Sequence, residues 1–170
     1  MRILSALLGL LLIAGPAFAA EEWGIDHEEK ARLTVTVVDI ACVLTGDCPE
    51  NCGGGKRQLG LLTEEGRLIP AAKNFDPFAG TQADLVPFCG KKTIVDGLLI
   101  ENPKLPMFAV QFKKSADPDG KWARGNWFVK EWAKANPDKE ANQWFRHDAR
   151  IVAKIERTGK LGIPGLKLEE

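Results

Sequence analysis

The chain has 170 residues, and its formal charges balance, with 23 Lys and Arg against 23 Asp and Glu. Hydrophobic residues make up 45% of the chain, which suffices for the core of one ordinary domain. A protein that binds nucleic acid would show a stronger basic patch, so nucleic acid is not an expected partner.

The first 19 residues have the three parts of a signal peptide. A short positive start contains Arg2, a leucine-rich apolar run follows, and residues 17–19 supply a small-x-small pattern. We therefore expect cleavage after Ala19, with Ala20 as the alternative, and a mature protein in the periplasm or outside the cell. The apolar run has about twelve residues, whereas a membrane span needs about twenty, so we expect a soluble mature chain without a membrane span.

Residues 20–114 are predicted to form a small β domain. After a loose acidic arm at 21–31, the pattern predicts strands at 33–42, 58–63, 67–71, 91–100 and 107–112. No long helical pattern separates these segments, and Gly97 interrupts the fourth. Five short antiparallel strands with uneven loops favour a mainly β (α+β) fold, a small five-stranded barrel of the OB type. A small β-sandwich and an open meander are the alternatives.

Residues 115–170 differ in character and are predicted to form a helical extension packed on the barrel. Asn126 can cap a helix that runs to Ala135, because a proline follows soon after. Asp148 can cap a second helix that ends before Gly159.

The extension is also rich in aromatic residues, namely Trp122, Trp127, Trp132, Trp144, Phe128 and Phe145. These rings can bury large apolar surfaces between the extension and the barrel. They can also form an exposed patch that binds a partner protein or a small ligand. The sequence leaves both interpretations open.

Four cysteines lie in or beside the β domain. Cys42 ends the first predicted strand, Cys48 and Cys52 lie in the loop after it, and Cys89 precedes the fourth strand. In an oxidising compartment an even number favours disulfides, and four cysteines allow three pairings. One arrangement joins Cys42 to Cys89 and Cys48 to Cys52. Another joins Cys89 to Cys48 or to Cys52.

The same cysteines suggest metal binding as a second function, because soft thiolates suit Cu(I). The segment 48–52 (CPENC) resembles the C-P-x-x-C element of the periplasmic copper chaperones that serve cytochrome oxidase. The resemblance implies Cys48 and Cys52 as ligands, helped by Cys42, Cys89 or His147. It covers five residues and lacks the second proline of that motif, and those chaperones have a thioredoxin fold. Zinc held by all four cysteines is a further alternative.

Thiol-redox activity through Cys48 and Cys52 is the third hypothesis, although the usual C-x-x-C spacing is absent. The glycines 53–55, with Lys56 and Arg57, could cradle an anion or could simply form a turn. Neither G-x-S-x-G nor H-E-x-x-H occurs, so the sequence predicts no catalytic residue.

Residues 37–62 resemble a loosely defined group of small exported bacterial proteins. The matching positions are Val37, Asp39, Cys42, Cys48, Cys52, Leu61 and, just beyond the segment, Gly66. Residues 93–97 also fit the fourth strand of that group. The resemblance implies an OB-like fold and adds little about activity.

These observations favour a non-enzymatic, disulfide-stabilised binding or accessory protein of the periplasm. Its partner would be a protein or a small ligand. Copper or zinc handling and thiol-redox activity are the alternatives.

Overall fold

A computed structural model describes residues 20–72 and 80–159 of the chain. The predicted signal peptide (1–19) and the last part of the predicted extension (160–170) lie outside the described residues. The elements, in chain order, are β1 (Glu28–Asp39), α1 (Ile40–Thr45), β2 (Leu59–Thr63), β3 (Leu68–Ala72), α2 (Thr81–Leu85), β4 (Lys92–Ile100), β5 (Met107–Ser115), β6 (Ala123–Arg124), α3 (Trp127–Ala135), α4 (Trp144–His147) and α5 (Ala149–Thr158).

Five strands form a closed, OB-like barrel, as predicted, and short β6 extends the sheet beside β5. The sheet order is β3-β2-β1-β4-β5-β6, and a further pairing of β3 with β5 closes the barrel. This closing pair is parallel, with Ala71 opposite Phe108, so the expectation of five antiparallel strands was wrong on this point. The reason is geometric. Since β2 and β4 both run antiparallel to β1, their partners β3 and β5 must run in the same direction.

The first strand begins earlier and ends earlier than its sequence pattern predicts. The charged first part of β1 pairs with the end of β4, where Glu28 lies opposite Ile100. The predicted loose arm is therefore strand from Glu28 onward. At the other end, the Asp39 carboxylate accepts a hydrogen bond from the backbone N–H of Ala41 at 2.9 Å and caps α1. Cys42 thus lies in a helix rather than in the strand.

Alternating apolar residues of the strands fill the barrel. Val35 and Val37 of β1, Leu59 and Leu61 of β2, and Phe108 of β5 are almost completely buried. This alternation follows from the two-residue period of a strand, which sends every second side chain inward. Leu85 of α2 joins the same cluster from one end of the barrel.

Gly97 lies where β4 must bend. The β4–β5 register shifts between Asp96 and Gly97, which marks a β-bulge. A Cβ atom at Gly97 would lie 2.0 Å from the carbonyl oxygen of Ala109. Glycine is therefore required here so that the two backbones can approach each other.

The helical extension follows the barrel, with boundaries close to those predicted. Helix α3 ends at Ala135, and the Asp148 carboxylate caps α5 by accepting a hydrogen bond from the Arg150 N–H at 2.9 Å. Helix α4 and strand β6 were not predicted. Among the described residues, no helix has the length and apolar character needed to cross a membrane.

Candidate functional site

All four cysteines lie in disulfides, at the end of the barrel where β1 leads into α1. Cys42 is bonded to Cys48, and Cys52 is bonded to Cys89. The pairing of Cys89 with Cys52 was one of the predicted alternatives. The arrangement that joins Cys42 to Cys89 and Cys48 to Cys52 is wrong.

The turn into α1 explains this pairing. Helix α1 takes Cys42 out of the barrel wall and places its Cα 4.4 Å from that of exposed Cys48. Cys52 is 6% exposed and belongs to the core cluster, against which Cys89 packs. The backbone around Cys89 is also fixed to β1, because the N–H of Gly90 donates to the carbonyl of Val37 at 2.8 Å.

This pairing bears on the predicted metal and redox sites. Cys48 and Cys52 belong to different disulfides, so they do not form a dithiol pair with each other. His147 lies exposed at the end of α4, in the helical extension. Within the described part of the chain, no group of three His, Cys, Asp or Glu side chains is arranged to hold a metal ion. The structure thus gives the copper, zinc and redox hypotheses no support.

A large open cleft lies at the same end of the barrel, between the barrel and the helical extension. Its volume is about 1110 Å³, which is ample for a small organic ligand. The β1–β2 loop contributes Gly54 and Gly55, and α2 with the turn after it forms a second wall. The end of β5, strand β6 and the start of α3 form the remainder. The extension therefore completes a site that the barrel alone would leave open.

Aromatic rings form much of the cleft surface. Trp122 and Trp127 both line it and are 43% and 53% exposed, which is unusual for side chains of this size. Trp122 is held from the barrel side, since the guanidinium of Arg32 lies 5.0 Å and the ammonium of Lys114 lies 5.4 Å from its ring. Phe88 and Phe128 add further apolar lining.

The tryptophans divide into a buried one that packs within the extension and two exposed ones that line the cleft. Trp144 is 9% exposed and packs edge-on against Phe128, with ring centroids 4.8 Å apart. It holds α3 and α4 together as part of a small apolar cluster. Trp122 and Trp127 instead form the predicted exposed aromatic patch.

A buried ion pair lies at the base of the cleft. The Lys113 ammonium of β5 donates to Asp84 Oδ1 of α2 at 2.6 Å, and both side chains are almost fully buried. Lys113 also donates to the carbonyl of Arg124 at 3.1 Å, and Asp84 Oδ1 accepts from the backbone N–H of Trp127 at 3.3 Å. The pair therefore joins α2, β5, β6 and the N-terminus of α3, and it positions the aromatic walls.

The charges of the cleft favour an anion. Asp84 is neutralised by Lys113, and Arg124 and Lys130 also line the cleft, both exposed. Arg124 is held near Phe112, 6.0 Å from its ring, and Lys130 lies on α3. The described lining therefore has a positive charge beyond that of the ion pair, next to apolar rings.

The glycine run contributes less than its sequence suggests. Residues 51–54 all have positive φ, so the segment is a tight left-handed turn that brings Cys52 into the core. The Arg57 guanidinium is hydrogen-bonded to Asp47 at 2.5 Å, and this bond raises the pKa of Arg57. Arg57 is thus engaged with a carboxylate, whereas Gly54 and Gly55 present backbone to the cleft.

Comparisons with protein-family models, curated proteins and solved structures gave no match. The resemblance to small exported OB-like proteins stays a prediction. The functional argument therefore depends on the cleft.

Sequence reasoning missed the ion pair at the base of this cleft. Asp84 and Lys113 are 29 residues apart, and neither lies in a recognisable motif. The one available signal was a lysine that extends an apolar strand pattern past Phe112. Such a lysine, when it points inward, needs a buried carboxylate as its partner.

Proposed function

We propose that this protein is an exported, non-enzymatic binding protein whose cleft takes a small amphipathic anion. The observation that supports this most strongly is the combination of exposed Trp122 and Trp127 with the cations Arg124 and Lys130 in one cleft. Ligand sites commonly consist of an apolar, aromatic surface with a few converging polar groups, and this cleft has that composition.

The aromatic walls would bind the apolar body of the ligand. Flat rings stack on indole at a small entropic cost, because tryptophan has only two side-chain torsions to fix. The Arg32 and Lys114 cations beside Trp122 limit its motion further. A preorganised wall of this kind contributes affinity because little ordering remains for the ligand to impose.

The cations would bind the acidic group of the ligand. Arg and Lys offer N–H donors and no acceptors, so they suit carboxylate, sulfonate or phosphate oxygens. Lys130 and Arg124 are exposed, so their contribution would fall as salt concentration rises. A neutral molecule of the same shape would keep the stacking and lose this attraction.

The test is a calorimetric titration of the mature, disulfide-bonded protein with naphthalene sulfonate. Naphthalene sulfonamide, which has the same rings and no charge, is the matched ligand. We expect the sulfonate to bind at least about fivefold more tightly than the sulfonamide, a difference in binding free energy of roughly 1 kcal/mol. Equal affinity for the two ligands, or no binding of either, would contradict the proposal.

Matched variants locate the site. Trp127→Ala should weaken sulfonate binding about tenfold, because it removes a stacking surface worth roughly 1.4 kcal/mol. Lys130→Ala should weaken it about fivefold. Lys134→Ala is the control, because Lys134 lies on the same helix but pairs with Glu131 outside the cleft lining. If Lys134→Ala had the same effect as Lys130→Ala, binding would depend on general surface charge.

A further inference from the structure

The start of the described chain contacts a buried carboxylate. The backbone nitrogen of Ala20 donates to Asp96 Oδ1 at 3.0 Å, across 76 residues of sequence. Ala20 is 6% exposed and Asp96 is fully buried. A buried carboxylate in the middle of a strand is costly unless cations and hydrogen-bond donors surround it.

Neighbouring contacts hold Ala20 in this position. The N–H of Glu21 donates to Gln111 Oε1 at 2.9 Å, and the Gln111 amide donates back to the Glu21 carbonyl at 2.6 Å. This pair of bonds fixes the segment beside β5. The other Asp96 oxygen, Oδ2, accepts from the Arg32 guanidinium, with Nε at 2.9 Å. Asp96 therefore receives the Arg32 cation on one oxygen and the Ala20 nitrogen on the other.

The predicted cleavage changes the chemistry of this nitrogen. Hydrolysis of the Ala19–Ala20 peptide bond by a signal peptidase adds water across it: the carbonyl carbon of Ala19 gains hydroxyl, and the Ala20 nitrogen gains hydrogen. The amide N–H thereby becomes an α-amine, which is protonated at neutral pH because its ordinary pKa is about 8. One neutral donor is replaced by an ammonium that carries a charge and three N–H groups.

We propose that Ala20 is the mature N-terminus and that its α-ammonium forms a buried ion pair with Asp96, so that signal-peptide removal completes the folded structure. This inference depends on the proposed export. Charge-assisted hydrogen bonds are stronger than neutral ones, and this bond would form where water is excluded. Cleavage one residue later would remove Ala20 and place the new amine at exposed Glu21.

The test begins with the full chain expressed in a bacterium that exports it. The intact mass of the mature protein identifies the N-terminus, which we expect to be Ala20. The α-amine is then acetylated at neutral pH, in the folded protein and in urea with the disulfides intact, and the N-terminal peptide is quantified. We expect the folded protein to react about tenfold more slowly, since a pKa raised by one unit lowers the reactive amine tenfold.

Two variants test the assignment: Asp96→Asn separates ion pairing from simple burial of the terminus, and deletion of Ala20 tests whether the slow reaction belongs to residue 20. Deletion of Ala20 gives a mature chain that begins at Glu21 and keeps Asp96 and Arg32. Asp96→Asn removes the carboxylate and keeps the terminus. Both should lose the slow reaction and acetylate within about threefold of the rate in urea. If Asp96→Asn does not fold, the pH dependence of acetylation in the wild type decides: an ion pair moves the midpoint of the rate profile to higher pH than in urea, whereas burial alone disfavours the charged amine and does not.

The outcomes distinguish this inference from the proposed export. A protein that retains its leader would overturn both. A mature chain that begins at Glu21, or one that begins at Ala20 and acetylates at the unfolded rate, would overturn the ion pair alone.

Discussion

Two ion pairs, each with a buried carboxylate, connect the elements of this small protein. Lys113 and Asp84 connect four elements under the cleft, and Arg32 and Asp96 connect β1 to β4. Lys113 and Asp84 are both buried, whereas the Arg32 side chain is 31% exposed. A fully buried pair adds little net stability compared with well-packed apolar side chains, but removal of one partner is strongly destabilising. The two pairs determine which elements face each other. Asp84 also positions the aromatic wall, because it accepts a hydrogen bond from the backbone N–H of Trp127.

Replacement of Gly97 should destabilise the barrel strongly. The Gly97→Ala variant places a methyl group 2.0 Å from the Ala109 carbonyl oxygen, so the β4–β5 backbones must separate. We expect a loss of about 3 kcal/mol in the free energy of unfolding, measured by urea denaturation. Gly46→Ala is the control, because its Cβ would meet nothing within 4 Å and only the left-handed backbone is disfavoured, at about 1 kcal/mol. Equal losses for the two variants would show that the close approach at Gly97 is not limiting.

Asp148 makes the stability of the extension depend on pH. The Arg150 guanidinium, together with backbone N–H donors, lowers the pKa of Asp148 from 3.8 to about 2. Because the folded pKa lies below the unfolded one, the stabilisation is present above pH 4 and is lost as pH falls toward 2. The difference in unfolding free energy between the wild type and Asp148→Asn should therefore shrink over that range. A difference that stays constant from pH 5 to pH 2 would contradict this assignment. Added salt should reduce the difference at neutral pH, because Arg150 is exposed.

At the scale of elements, the two disulfides have different functions. The Cys42–Cys48 bridge closes a short segment at the protein surface, whereas Cys52–Cys89 joins the β1–β2 loop to the approach of β4 through the core. The chain-entropy estimate assigns about 2 kcal/mol to a loop of 6 residues and about 4 kcal/mol to one of 37. The second bridge also keeps Gly54 and Gly55 at the edge of the cleft.

Replacing each cystine by a pair of serines tests this difference. The variant with serines at positions 52 and 89 should lose about 4 kcal/mol or more, since a buried hydroxyl also replaces apolar sulfur. The variant with serines at 42 and 48 should lose about 2 kcal/mol. Both losses in the free energy of unfolding are to be measured by urea denaturation under non-reducing conditions. A larger loss from the surface bridge would contradict the roles assigned to the two disulfides.

The five barrel strands and the helices α3 and α5 could be predicted from the sequence because their signals are local. Short apolar runs bounded by turn residues mark β2, β3 and β4, alternating apolar residues mark β5, and the capping residue Asp148 marks the start of α5. The start of β1 was missed because Glu28 and its neighbours are charged, and their strand conformation comes from pairing with β4. The disulfide pairing was left open because it depends on α1, a helix of 6 residues that no pattern in the sequence requires.

At the scale of the whole molecule, barrel closure and the helical extension together create the cleft. The sequence left open whether the tryptophans are buried or form an exposed patch, because Trp122 and Trp127 are positioned by Arg32 of β1 and Asp84 of α2, which are far away in the chain. Neither the composition nor the residue spacing predicts that Arg124 and Lys130 line the cleft. Trp122 is also connected through Arg32 to Asp96, which places the predicted mature N-terminus and the cleft on one network of contacts.

The most direct test of the proposed binding function uses the five tryptophan indole N–H signals in a nitrogen-15 NMR spectrum of the mature protein. Titration with naphthalene sulfonate should shift the signals of Trp122 and Trp127, which line the cleft, and leave those of Trp23 and buried Trp144 in place. Signals that do not move, or shifts confined to tryptophans outside the cleft, would contradict the account.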